Sequence, residues 1–481
     1  MEPLKSNNID KIKYKNIFYK IFSFLHDKKL LKIIKGNIKI QNLLNINLQN
    51  YKKYYNTFSS IELEIKPSSI YGKFINIKNK EDEKYYHIYF NDSKEEIKNK
   101  YDLNKNDKVA KIKIIIDYQI KSLSHIFWMC TGIESMAFKR FHRNNIEDMS
   151  DMFYECTSLK EIDFSNFNTE NVIDMSYMFH GCSSLKELNL INFNTNNVKE
   201  MNGMFHVCSS LEKINISKFN TKNVTDMNKM FSKCSSLKEI NLSNFNTENA
   251  DNMSKMFMKC SSLKEINISN FNTENVDNMS YMFSECSLLK KINLSNWNTE
   301  SVKDISYMFS ECSELKEINL SNFNTKNVDS MEGMFSGCTS LEELNLTNFN
   351  TNNVTKMNEM FSKCKSLKVI NLSSFNTIDV YNMCKMFFGC SSLKKLNLSN
   401  FNIDRVNVIS EMFYGCSSLE ELDIYNFNFN NVYEIQNMFY GCSKLKKINL
   451  SNSQIDLFIT MIGTFEQCSE ELLIIDEFNP N

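Results

Sequence analysis

The sequence contains no uninterrupted apolar run approaching the ~20 residues that a membrane-spanning helix needs, so insertion into a bilayer is not expected. Its first twenty residues alternate lysine with polar side chains around no apolar centre of about 7–15 residues, which argues against a secretory signal and for a cytoplasmic setting. There is no Gly-rich phosphate loop, no nucleophile elbow and no His-Glu-x-x-His pair. The six histidines (His26, His87, His125, His142, His180 and His206) fall at no metal-ligand spacing, and no Cys-x-x-Cys pair accompanies them. His180 and His206 occupy equivalent places one repeat apart and read as surface neighbours. Carboxylates are plentiful but recur with the repeat, so no two stand out as an acid and a base. These absences exclude the common enzyme classes, and no metal or cofactor is expected.

What is present is a comb. Fourteen of the fifteen cysteines, from Cys130 to Cys468, stand 26 residues apart without a single insertion, and only Cys384 is off the register. A fixed period of this size marks a solenoid, in which each unit buries its apolar face by stacking on its neighbours. Apolar residues make up 42% of the chain, enough for a continuous core. Cysteines on a comb differ from the dense framework of small secreted domains, and each reads as a small buried apolar residue. Asn-x-Ser/Thr sequons from Asn215 to Asn449 fall inside the predicted strands, where glycans on rungs ~5 Å apart would collide. Charge is unevenly spread: residues 1–125 carry 25 Lys against 14 acidic residues, and the remainder is acidic by a similar margin. The basic residues of that head are all lysine and scattered, so nucleic acid is not the expected partner.

Residues 223–247 serve as the type unit. Val224, Met227, Met230, Phe231 and Cys234 fall on one face of a helix of about two and a half turns. Asn223 sits in its N-cap slot with Asp226 three places on. Gly181, Gly337, Gly389, Gly415 and Gly441 precede the comb cysteine, as a left-handed C-cap would. Leu237, Ile240 and Leu242 then read as a short strand, Phe245 turns back into the core, and Asn246 and Thr247 supply side-chain bonds for the next turn. The column running from Asn189 to Asn397 is expected to tie rungs together through its amides. The predicted fold is an α/β repeat solenoid of about fourteen 26-residue strand–turn–helix coils. Residues 1–57 form a helical segment, 58–120 a small α+β domain capping the array, 121–468 the solenoid and 469–481 an acidic C-terminal cap. Within the α+β domain, strands are predicted at 61–65, 73–77, 86–90 and 109–116, with a polar helix over Ser93–Tyr101. The last of these strands is expected to dock on the first coil and blunt its open edge.

The pattern Met-x-x-Met-Phe-x-x-Cys-Ser-Ser-Leu-Lys-Glu-Ile-Asn-Leu-Ser-Asn-Phe-Asn-Thr-x-Asn-Val resembles the BspA-type leucine-rich repeats of mycoplasma surface lipoproteins and many protist proteins. That resemblance implies a leucine-rich-repeat solenoid that binds other macromolecules, and it keeps the cell surface as an alternative location. Ile21-Phe22-x-x-Leu25-x-x-x-x-Leu30 resembles the middle of an F-box, which implies a Skp-type adaptor as partner. The leading expectation is a non-enzymatic scaffold that binds protein partners along the solenoid. A ubiquitin-ligase substrate receptor and a surface adhesin stand as alternatives. The candidate binding residues are Tyr414, Tyr425, Phe429, Tyr433 and Tyr440, with Phe388 nearby, because exposed aromatics are favoured anchors. The competing reading is that they close the core near the C-terminal cap.

Overall fold

The structure, a computed structural model, describes residues 59–450 and 463–475. The F-box-like segment and its adaptor contact therefore lie outside the described residues.

The head is built on β1 (Ile61–Pro67), β2 (Gly72–Lys73), β3 (Tyr86–Phe90), β4 (Asp102–Leu103) and β5 (Ile112–Ile116). Alternation puts Ile61, Leu63 and Ile65 of β1 and Ile112, Ile114 and Ile116 of β5 into the core. The first coil supplies β6 (Ile133–Arg140) and the next coil β7 (Glu161–Asp163), giving one five-stranded sheet of order β3-β5-β1-β6-β7. The head thus docks through β1, which pairs antiparallel with β6, and not through the strand nearest in sequence. β5 is unavailable because β1 and β3 occupy both its edges. Arg143, fully buried, locks the joint by donating to the carbonyls of Asp117 and Ile120. Residues Ser93–Tyr101 form turns instead of the predicted helix. The Ser93 hydroxyl takes the Glu95 amide, a local bond that competes with helix formation, and Ile97 bridges to Ile88.

Beyond β7 the chain winds as a β-solenoid. Most coils carry a strand of two or three residues, and where neighbouring strands pair they do so 26 residues apart, as in Leu188 opposite Ile214 and Leu344 opposite Ile370. A second column of single bridges runs without a break from Asp148 through Asp226 and Asp304 to Glu434. Met227, Met230, Phe231, Cys234, Leu237 and their equivalents as far as Leu445 are buried and form columns along the core, while Phe465 and Cys468 of the last coil are half-buried. The rings of the Phe231 column stack face to face with centroids 5.3–6.1 Å apart.

The predicted helix is absent, and this is the main correction to the sequence reading. Among the described residues the only helical elements are two short 3-10 turns, at Lys80–Tyr85 and Phe429–Asn431. The stretch from Met227 to Cys234 is a zigzag of turns. Met230, Ser232 and Cys234 donate to the carbonyl three residues back, while Lys229, Phe231 and Lys233 donate to Ser254, Met256 and Met258 of the next coil. Lys229 and Lys233 adopt left-handed backbone (φ 57° and 62°) to turn alternate amides outward. The physical reason is space. An α-helix is about 10 Å across, whereas the coils advance by little more than 5 Å, so helices could be stacked only by fanning the coils apart. The zigzag satisfies every second amide from the neighbouring coil instead.

Two polar ladders complete the frame. Each threonine of the Thr221 column is buried and its hydroxyl donates to the carbonyl of the asparagine one coil on, and in most coils it also accepts from that asparagine's amide. For Thr221 these bonds, to the carbonyl and amide of Asn246, are 2.7 and 2.9 Å. Asn223 is not an N-cap, since its side-chain amide donates to the Asn196 carbonyl of the preceding coil. Asn246 does hold its turn, accepting from the Glu248 amide. The Asn189–Asn397 column acts mainly within its own coils, each side-chain oxygen taking the amide two residues on, as Asn241 does from Ser243. The bond of 3.0 Å from Asn215 to Asn189 crosses between rungs.

Candidate interaction surfaces

Each coil presents three sides to solvent: the strand face, the zigzag edge, and the loop edge between the Thr221 and Asp226 columns. On the strand face the coils splay. Ring centroids step by 6.4 Å from Phe245 to Phe271 but by 5.6 Å from Phe231 to Phe257. Strand pairing lapses at the coils holding Ile240 and Ile318, which are left half-exposed. An open trough of about 960 Å³ lies there, floored by Ile162, Leu188, Ile214 and Ile240 and walled by Lys and Glu side chains. Pairs such as Lys238–Glu212 (2.7 Å) and Lys368–Glu342 (2.6 Å) bridge adjacent rungs on this face.

The zigzag edge carries the aromatic departures. Phe388, Tyr414 and Tyr440 stack in successive coils at 4.9 and 4.8 Å, beside Gly389, Gly415 and Gly441. Gln467 donates to the Tyr440 hydroxyl at 2.7 Å. At the other end of the same column, Trp128, Tyr154, His180 and His206 form a second stack, with Tyr154 and His180 only 4.2 Å apart. The two histidines are therefore intercalated rather than free surface neighbours. Burial holds the His180 imidazole down to about 4, with His206 a lesser cause, and burial also lowers His206.

The five sequence-nominated aromatics do not form one cluster. Tyr414 and Tyr440 share the zigzag edge, Tyr425 stands 40% exposed on the turn leaving the strand, and Tyr433 is 69% exposed on the loop edge. Phe429 is buried, which fits the core-closing alternative for that residue. The loop edge adds residues that sequence reasoning missed. Ile378 and Tyr381 are exposed two coils before Tyr433, and Arg405 lies between them, paired with Asp379 at 2.5 Å. From Lys199 to Thr355 Tyr381's column is polar (Thr225, Asp251, Asp277, Lys303 and Asp329 among them), with an exposed Ile173 one coil earlier, so reading the repeat column by column would have found it.

The cysteines offer no reactive site. From Cys156 onward each comb thiol donates to the carbonyl of a core phenylalanine in the preceding coil, Cys234 to Phe205 at 3.2 Å, while Cys130 turns to the Trp128 carbonyl. Burial pushes the thiols up, that of Cys156 to about 12. Among the described residues no group of three His, Cys, Asp or Glu could hold a metal ion, and no helix is long and apolar enough to cross a membrane.

Among solved structures, the chain is similar to a leucine-rich repeat protein from Bacteroides ovatus (17% identity, TM-score 0.37, covering 77% of this chain and 89% of that one). It is also similar to a leucine-rich cell surface protein from Faecalibacterium prausnitzii (15%, 0.32, 85% and 96%) and to a leucine-rich repeat protein from Eubacterium ventriosum (14%, 0.26, 62% and 86%). No curated protein matches. A family model, described as Mycoplasma protein of unknown function, DUF285, matches residues 121–239, 187–293, 289–370 and 363–477. Those matches cover the whole array and well over half of the sequence, so the chain belongs to the DUF285 family.

Proposed function

We propose that this protein is a non-enzymatic scaffold that binds a protein partner, with the C-terminal loop edge as its principal contact. The observation that carries the reading is the group Ile378, Tyr381, Arg405 and Tyr433, exposed on three neighbouring coils of an edge whose other side chains are, Ile173 apart, mostly Asn, Asp, Glu, Lys and Thr. Tyrosine and arginine are enriched among the residues that carry interface energy, tyrosine because it buries a large ring at little entropic cost and arginine because its planar guanidinium offers five donors. A rigid backbone, hydrogen-bonded coil to coil, holds them in place before the partner arrives, which lowers the cost of binding. Tyr425, on the neighbouring turn, extends the contact toward the strand face.

The test is site-specific photocrosslinking from position 433 in the native cells, alongside affinity capture with Tyr381→Ala/Tyr433→Ala. A single protein crosslinked from position 433 and lost from the double variant supports the reading. Capture profiles identical for wild type and variant, with no crosslink, refute it. Saturable turnover of a small substrate by the purified protein would refute the non-enzymatic part.

A further inference from the structure

The zigzag edge is self-complementary when read in opposite directions. Two side-chain columns line it, those of Lys229 and Lys233, with the Ser232 column between them. Toward the N-terminus from the centre, two successive coils carry Lys229 and Lys233, then Lys255 and Lys259. Toward the C-terminus, the next two coils carry Tyr281 and Glu285, then Tyr307 and Glu311. All eight side chains are at least partly exposed. The mid-point between the Lys255 and Tyr281 coils therefore separates a basic facet from an acidic, aromatic one.

We propose that a second copy of this chain docks on the zigzag edge, antiparallel, about a two-fold axis through that mid-point. In such an arrangement each column faces its own counterpart, since an isologous contact pairs residue i with j and j with i. Lys259 then meets Glu285 of the other copy, and Lys233 meets Glu311. Lys255 and Lys229 come over the rings of Tyr281 and Tyr307. The chain already makes both kinds of contact internally, with Lys259–Glu285 at 3.1 Å and Lys255 Nζ 5.2 Å from the Tyr281 ring centre.

The middle column supports the same axis independently of charge. Around the centre it carries the buried Ser232, Ser284 and Ser310 and one larger, half-exposed side chain, Met258, which the axis sets opposite the small Ser284 of the other copy. Its aromatic rings occur only toward the two ends, and Trp128 and Tyr154 lie as far from the mid-point on one side as Tyr414 and Phe388 do on the other, Tyr440 having no counterpart. The axis carries Tyr154 onto Phe388 and Trp128 onto Tyr414, so two rings of each stack meet two of the other copy's opposite stack, while His180 and His206 face Ser362 and Ser336. Twelve coils at the observed ring spacing make a strip about 60 Å long and about 12 Å wide, roughly 700 Å² on each copy, near the size of standard specific interfaces. Because the centre of the contact is ionic and partly exposed, it weakens as salt rises.

The test is sedimentation velocity on the full chain and on two charge-reversed variants. The first is Lys233→Glu/Lys259→Glu; the second is Glu285→Lys/Glu311→Lys. Wild type is expected to dimerise at about 50 mM salt and to dissociate at least tenfold more readily at about 500 mM. Each variant alone brings like charges together and is expected to be monomeric. An equimolar mixture restores every opposite-charge contact and forms a heterodimer. Wild type that stays monomeric at about 100 µM in low salt overturns the proposal, as does a mixture that fails to associate while both variants melt like wild type. A wild-type chain that binds an acidic protein through these lysines without self-association also overturns it.

Discussion

Replacing Thr221 by valine removes one hydroxyl and keeps the shape, so it isolates what the buried threonine ladder contributes. Thr221 is 0% exposed, and no water can stand in for the lost group. Its hydroxyl donates to the Asn246 carbonyl at 2.7 Å and accepts from the Asn246 amide at 2.9 Å. The valine variant leaves both backbone groups of half-buried Asn246 without that partner, at roughly 1–2 kcal/mol each, so about 2–4 kcal/mol is lost at one junction. Thr221→Ser keeps both bonds and gives up a methyl group, at about 1 kcal/mol. In a solenoid the loss stays local, because stability is a sum of coil terms and nearest-neighbour terms. The assay is native-state hydrogen exchange at the Val224 and Ala250 amides, which are bonded within their own coils. Exchange there is expected to accelerate roughly 30- to 700-fold in the valine variant, at tenfold per 1.4 kcal/mol, and to change little at coils several rungs away. A serine variant that exchanges faster than the valine variant would refute the reasoning, since packing rather than hydrogen bonding would then dominate.

Thiol titration of the native protein is expected to find at most two accessible groups, Cys384 and Cys468, because the other cysteines are buried; all fifteen should react after unfolding. Gly333→Ala should destabilise by about 1–3 kcal/mol, since a β-carbon there collides with the Tyr307 ring and displaces its 2.8 Å bond to Glu332. Gly415→Ala shares the left-handed backbone but has 3.7 Å of clearance, so it should cost about 1 kcal/mol or less by thermal melting. Stability should also fall with acid through the His180 site. Its folded pKa, about 4, is depressed below an unfolded value near 6.5, so the unfolded chain takes up a proton first as pH drops. The loss begins below about pH 6.5 and levels off near pH 4, reaching about 2 kcal/mol once solvent screening is allowed for. His180→Gln should flatten that part of the melting-temperature profile, and an unchanged profile would contradict the assignment.

The period, the core columns and the place of the strand within each coil were legible because each is a property of side chains that repeat. In the non-repeating head, by contrast, the strand expected at 73–77 shrinks to Gly72–Lys73. The backbone joining the repeated side chains was not legible, for a specific reason. Burial at Met227, Met230, Phe231 and Cys234 follows helical spacing, but a chain of turns with left-handed residues four apart, at Lys229 and Lys233, buries the same positions. Hydrophobic periodicity reports which side chains face inward, not which hydrogen bonds hold them there. The discriminating signal lay with the glycines. Gly181, Gly337, Gly389, Gly415 and Gly441 suit a helix C-cap, and their left-handed backbone agrees with that expectation. Gly203 and Gly333 sit four residues earlier, where a helix interior would lose about 1 kcal/mol to each, yet a second left-handed turn welcomes them. The surfaces were less legible still, because a departure from a repeat gains meaning only when its column is known. Tyr433 could be singled out from sequence, but its neighbours Ile378 and Tyr381 acquire theirs only on the folded edge, where 26-residue separation becomes adjacency. The same conversion lets lysines and glutamates spread over a hundred residues form one two-faced strip. In this chain, position modulo the repeat decides who is near whom.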